Sequence, residues 1–155
     1  MLTKTVADLL DGSKVPYRVL AHARAFTAQD TAASLHVSGW KFAKCVTVTT
    51  HDGRRAMAVL PGSRHLDLKA LGGLLGSDVE LLPEDAMVRL FPGCEAGAEP
   101  PFGNLYGLSV FVDERLARDH DIVFNAGSHV EAVRMKYADW ARLVRPTIAR
   151  IASGH

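Results

Sequence analysis

The spacing of apolar residues changes period several times along the chain, and each change predicts an element. Val6, Leu9 and Leu10 repeat at helical spacing behind Thr3, which predicts a capped first helix closed by Gly12. In VPYRVLAH (15–22), Val15, Tyr17 and Val19 alternate as in a strand. Thr27 stands as an N-cap before AQDTAASLHV, with Asp30 in the first turn, where a helix dipole favours an anion, and Gly39 is expected to end that helix. KFAKCVTVTT (41–50) and RAMAVLP (55–61) flank Asp52-Gly53, a strong hairpin signal. A short helix over 67–76, a strand over 78–82 and a helix over 83–91 come next. Three further strands are expected at 108–113, 122–127 and 129–135, then a closing helix from Tyr137 interrupted near Pro146. No regular βαβ rhythm emerges. The prediction is a single α+β domain over 1–155, built on a mixed, twisted sheet.

Residues 91–107, FPGCEAGAEPPFGNLYG, fit neither period. Four glycines and three prolines fall within these 17 residues. Glycines let a ligand approach the main chain, and prolines hold such a segment in one shape. Gly97, Ala98, Glu99, Pro100 and Pro101, flanked by Gly93 and Gly103, read either as a rigid pocket wall or as a turn-rich connection. The segment lacks the G-x-x-x-x-G-K-[ST] pattern of a phosphate loop.

Lys44 is the other anomaly. Strand alternation places it on one face with Phe42, Val46 and Val48, and Cys45 on the opposite face with Ala43, Thr47 and Thr49. A lysine among apolar neighbours is either an edge-strand charge that discourages aggregation or a cation set in a cleft. Gly127, Ser128 and His129 end a strand, and His129 is either a polar pocket residue or an ordinary surface histidine. The histidines form no H-x-x-x-H or H-x-H pair, so no metal site is expected. A Ser-His-Asp set drawn from Ser128, His129 and Asp113 has no G-x-S-x-G elbow behind it.

Composition narrows the function classes. A net charge of +1 argues against a protein that coats DNA or RNA, though not against one that grips a single RNA end. The two cysteines belong to no C-x-x-C motif and are expected to be reduced, as in the cytoplasm. No leader sequence and no apolar run approaching 18 residues is present, so neither secretion nor a membrane span is expected.

Taken in order, FTAQDTAASL (26–35), KFAKCVTV (41–48), AVLPGSRHLDLKAL (58–71), GCEAGAEPPFG (93–103), VFVD (110–113) and NAGSHVEAVRM (125–135) resemble the YbaK/ProX family of aminoacyl-tRNA deacylases, the stand-alone relatives of the editing domain of bacterial prolyl-tRNA synthetase. Gly97 and Pro101 meet the family's G-x-x-x-P signature, and Lys44 its strand lysine. The resemblance implies a partly barrel-like mixed sheet and hydrolysis of the ester that links a wrong amino acid to tRNA, with no cofactor. It implies that the G-x-x-x-P loop walls a pocket for the aminoacylated 3′ end, that Lys44 sits across it, and that a tRNA hydroxyl assists the attacking water. On this reading Gly127–His129 form the opposite wall, Thr27 also contacts substrate, and Phe26, Cys45 and His129 set pocket size. Arg24, Lys41, Arg54, Arg55 and Arg64 are candidate phosphate contacts, and a synthetase is a candidate partner. Two alternatives stay open: a non-catalytic module that binds a tRNA end or a synthetase, and a hydrolase of small esters or amides.

Overall fold

Thr3 accepts a hydrogen bond from the Val6 amide at 3.4 Å and opens α1, Lys4–Ser13. A computed structural model describes residues 3–25 and 27–153. Gly12 lies inside the last turn of α1; the helix stops because Lys14 takes the left-handed conformation (φ 57°). Strand β1 (Tyr17–Ala21) is followed by α2 (Ala28–Ser34), whose Thr27 cap accepts from the Asp30 amide at 3.0 Å. This helix ends well before Gly39, where the chain turns through a left-handed His36 (φ 55°).

The expected hairpin forms from β2 (Phe42–Thr50) and β3 (Arg55–Pro61) around Gly53, whose positive φ of 87° the turn requires. β4 (His65–Leu66), α3 (Leu68–Leu75), β5 (Val79–Leu81) and α4 (Glu84–Leu90) come next. The Gly/Pro loop is then reached, with a short 3₁₀ turn at Gly103–Tyr106. β6 (Ser109–Asp113), β7 (Asp121–Asn125), β8 (Glu131–Lys136) and α5 (Tyr137–Val144) complete the larger elements. The last strand expected from sequence thus starts at Glu131 rather than at His129. The closing helix ends at Val144, since Arg145 is left-handed and Pro146 has no amide to donate. Beyond Pro146 the chain is extended, in β9 (Thr147–Ala149) and β10 (Ala152–Ser153).

One mixed sheet runs in the order β1-β8-β7-β2-β3-β6-β9, with β5 also on β2. The β2/β7, β3/β6 and β6/β9 pairs are parallel, and the hairpin pairs antiparallel. The α+β class with a mixed sheet therefore stands as predicted. On one face α1, α5 and the Gly/Pro loop supply Val6, Leu10, Trp140, Phe91 and Phe102 to the largest buried cluster. Leu71 of α3 and Ile151 pack into a second cluster with Val48, Ala58 and Leu60. No helix among the described residues is long and apolar enough to cross a membrane.

The non-helical C-terminus is fixed by one carboxylate. Asp113, at the end of β6, is 4% exposed and accepts from the Ile151 and Ala152 amides at 3.0 Å each and from the Arg115 amide at 3.1 Å. Removing a charged acceptor leaves buried donors unpaired, at about 2–3 kcal/mol. Asp113→Ala should lower unfolding stability by about that amount in urea denaturation, with Asp113→Asn falling between. A change within ~0.5 kcal/mol of wild type would show that the C-terminal strands are held by other contacts.

Candidate functional site

β2 is an interior strand, with β3 along one side for nearly its whole length. On the other side β7 pairs only with Phe42 and Ala43, and β5 only from Val48 to Thr50. Lys44 to Val46 therefore face a gap in the sheet, with no strand partner on that side among the described residues. The Gly/Pro loop reaches this gap. Thr27, Ala28, Phe42, Ala43, Lys44, Cys45, Gly97, Glu99 and Asn125 line a narrow cleft there with about 20 Å³ of open space, enough for one water molecule.

The interior position of β2 rules out the edge-strand explanation of Lys44. The side chain is half-buried at a seam between apolar clusters, Phe42 belonging to one and Val46 and Val48 to another. Its Nζ donates only a long bond, 3.4 Å, to the Gly62 carbonyl, so the ammonium is weakly committed. Burial lowers its pKa below the ordinary 10.5. Cys45 packs with Ala43 toward the main core, as alternation predicts, yet it also lines the cleft. Burial first, and then the charges of Glu99 and Cys94, push the Cys45 thiol well above 9.0, which makes it a poor nucleophile.

Across the gap, Gly97 adopts φ +84°, a conformation that side-chain-bearing residues rarely adopt, and a Cβ there would meet His129 Cε1 at 3.4 Å. Its amide donates to Glu99 Oε2 at 2.9 Å. Glu99 is buried on the cleft, and that burial raises its carboxyl pKa above 4.5 against the opposing pull of the Gly97 amide. The loop is clasped from behind. The Glu95 amide donates to the Gly127 carbonyl at 2.9 Å, and the Gly127 amide to the Ala98 carbonyl at 2.7 Å. The Glu95 carboxylate accepts from the His129 amide at 3.0 Å, and His129 Nε2 donates to the Ala96 carbonyl at 2.6 Å.

This geometry sorts the residues singled out from sequence. Lys44, Cys45, Thr27, Gly97 and Glu99 meet on one cleft. Gly127, Ser128 and His129 do not line the cleft; Gly127 and His129 hold the loop, and Ser128 between them accepts from the Val130 amide, while β2 and the start of α2 face the loop. Ala98, Pro100 and Pro101 are buried within the loop and shape it, and Gly93 is exposed outside the cleft lining. Phe26 lies outside the described residues. Among the basic candidates, Arg24 pairs with Glu95 at 3.1 Å, while Arg54 is bound to Asp52 and to the Leu75 carbonyl. Arg54 and Arg55 sit at the hairpin turn, the opposite end of β2 from Lys41 and Arg64. Asn125 was not anticipated. It ends β7 with its Oδ1 3.2 Å from His22 Nε2, and the only sequence signal was a polar residue closing an apolar strand. No group of three His, Cys, Asp or Glu among the described residues is placed to hold a metal ion.

Comparison with known proteins gives a consistent picture. A family model described as an aminoacyl-tRNA editing domain matches residues 22–143. The chain is 27% identical over 144 residues to a protein of Escherichia coli strain K12 named multifunctional Ser/Thr-tRNA deacylase ProXp-y, covering 90% of this chain and 86% of that one. The fold is similar to that of the hypothetical protein APE2540, with a TM-score of 0.88, 20% identity, and coverage of 97% and 100% of the two chains. It is also similar to a candidate trans-editing enzyme for prolyl tRNA synthetase, with a TM-score of 0.84, 19% identity, and coverage of 99% and 100%.

A carboxyl whose folded pKa is raised opposes folding once it ionises, so its penalty is absent below pH ~4 and grows as pH rises past its unfolded value. Glu99→Gln should therefore gain stability relative to wild type between pH 4 and 7 in urea titrations. A difference that does not change with pH would mean that burial of Glu99 does not hold its carboxyl against ionisation.

Proposed function

The chain belongs to the aminoacyl-tRNA editing domain family and hydrolyses the ester of mischarged aminoacyl-tRNA; from this premise we propose that the cleft between Lys44 and the Gly97–Pro101 loop receives the aminoacylated 3′ end. One observation carries the assignment: a weakly committed, half-buried ammonium and a buried carboxylate line the same small cleft in a gap of the sheet.

An aminoacyl ester is already activated, so position and charge stabilisation suffice. Water adds to the carbonyl carbon and generates an oxyanion, which the Lys44 ammonium stabilises. The ester C–O bond then breaks, and the proton lost by water passes to the departing ribose oxygen. Free amino acid and tRNA with an intact terminal hydroxyl result. Glu99 serves as acceptor for the substrate's α-ammonium, the one cation every aminoacyl ester carries. Its raised pKa comes from burial, the environment in which an incoming cation is most strongly attracted. Cys45 acts as part of the pocket wall.

The lining suggests which amino acids are favoured. The cleft is small, and Thr27, Cys45 and Asn125 bring polar atoms to it, which suits the side-chain hydroxyl of serine or threonine. The E. coli relative carries Ser/Thr-tRNA deacylase in its name, in keeping with that choice. With a net charge of +1 the chain's own hold on tRNA is modest, which favours action beside a synthetase, in the cytoplasm where tRNA is charged.

The test is a hydrolysis assay on tRNAs charged with alanine, serine, threonine or cysteine, wild type beside Lys44→Ala. Serine or threonine should be released fastest, and Lys44→Ala should lose roughly 10²–10³-fold in kcat, as when one oxyanion donor is removed. Lys44→Ala working at the wild-type rate would remove Lys44 from the mechanism. A folded wild-type protein that binds these tRNAs without releasing any amino acid would instead be a binding module.

A further inference from the structure

Beside the cleft lies a much roomier groove of about 490 Å³. Trp40, Arg64, Arg115, Arg118 and Arg150 line it, with Asp113 and Glu114. Sheet topology puts these residues together. β3, β6 and β9 run parallel, so the segments leaving their C-terminal ends emerge on one rim, with Arg64 after β3, Arg115 and Arg118 after β6, and Arg150 after β9. β2 is antiparallel to β3 and begins at that same rim, which brings Trp40 there too.

The chemistry of the groove is specific. The Arg64 guanidinium carbon lies 3.8 Å from the centre of the Trp40 ring, and that of Arg115 lies 5.0 Å from it. Four arginines face two carboxylates. Asp113 is already occupied by three main-chain amides, and Glu114 is engaged by Arg150 at 2.9 Å. Arg115 and Arg118 are exposed. Cationic side chains around an aromatic plane form the pattern by which single-stranded nucleic acid is held, with phosphates on guanidinium groups and a base stacked on the ring or on the guanidinium covering it.

The groove also connects to the cleft. Arg64 is two residues beyond Gly62, whose carbonyl accepts from Lys44 Nζ, and the intervening Ser63 donates its amide to Gly39 at 3.2 Å. Lys44 on β2 and the end of β6 are two strand spacings apart, roughly 10 Å. That is the reach from a terminal nucleotide to its immediate neighbours. We propose that this groove binds the unpaired nucleotides that precede the terminal one, stacking a base on Trp40 and holding phosphates on Arg115 and Arg118. The proposal rests on the reading of the cleft as the site of the aminoacylated end.

Binding of uncharged tRNA, followed by fluorescence anisotropy across a salt series, and steady-state hydrolysis of seryl-tRNA test it separately. Arg115→Ala/Arg118→Ala should raise KM and Kd with kcat unchanged, and should reduce the slope of log affinity against log salt by about 1.4, or ~0.7 for each single-strand phosphate contact. Trp40→Ala should weaken binding roughly 5- to 160-fold, the range for one lost stacking interaction, and Trp40→Phe should restore most of it. Removing the unpaired 3′ nucleotides from the tRNA should weaken binding to wild type by more than it weakens binding to Trp40→Ala, which has already lost the stacking contact. If wild type hydrolyses seryl-tRNA while these variants keep its KM, Kd and salt slope, the groove is overturned and the cleft stands. If no charged tRNA is hydrolysed yet uncharged tRNA binding depends on Trp40 and the arginine pair, the groove stands and the reading of the cleft fails. Absence of measurable tRNA binding to wild type at low salt overturns the groove.

Discussion

The site depends on a clasp of main-chain hydrogen bonds that holds the Gly/Pro loop against the strand-end segment Gly127–His129. Two main-chain bonds between residues 95–98 and Gly127 hold the loop at the level of Gly97. Two further bonds, from the His129 amide to the Glu95 carboxylate and from the His129 ring to the Ala96 carbonyl, fix its orientation. Trp140 of α5 adds an anchor from the core by donating to the Pro101 carbonyl at 2.9 Å. Without the clasp, a 17-residue segment carrying three prolines and four glycines has no regular ladder to satisfy its amides and carbonyls. With it, Glu99 and the Gly97 main chain stand opposite Lys44.

The clasp matters because β2 is incompletely paired. A central strand with partners along both sides has no room for substrate, and an edge strand cannot enclose one. β2 is neither at Lys44: β3 covers one side, while β7 ends before it and β5 begins after it. The gap admits the loop and leaves space for about one water molecule between the strand and the loop. Burial then disfavours the charged forms of Lys44 and Glu99 alike, shifting their pKa values in opposite directions. Both shifts are unfavourable to folding, and under the proposed function they fall at the substrate cleft.

Much of this was legible in the sequence where local signals agree. Asp52-Gly53 between two apolar-rich runs marked the hairpin, and Thr3 and Thr27 marked helix starts, because each signal acts within a few residues. The oddity of Lys44 among apolar neighbours was visible, as was the unusual composition of the loop. Other features depend on contacts distant in sequence. Whether β2 is interior is decided by β7 and β5, not by β2. The role of His129 as a support behind the loop arises from its bond to Ala96, 33 residues away. Asn125 enters the site because β7 pairs in parallel with the start of β2, and parallel partners leave no turn signal between them. The C-terminal strands were missed since Asp113, 38 residues upstream, supplies the acceptor that holds Ile151 extended. A residue such as Pro146 marks where a helix stops, but says little about what the chain does next.

The central claim is that the gap beside Lys44 holds the aminoacylated end. It is tested most directly by a crystal structure with a non-hydrolysable mimic, 3′-deoxy-3′-(seryl)amido-adenosine, in which an amide replaces the ester. The account predicts that the seryl carbonyl lies within hydrogen-bond distance of Lys44 Nζ and the α-ammonium against Glu99. A mimic bound elsewhere on the molecule, with the Lys44 cleft unchanged, would contradict it.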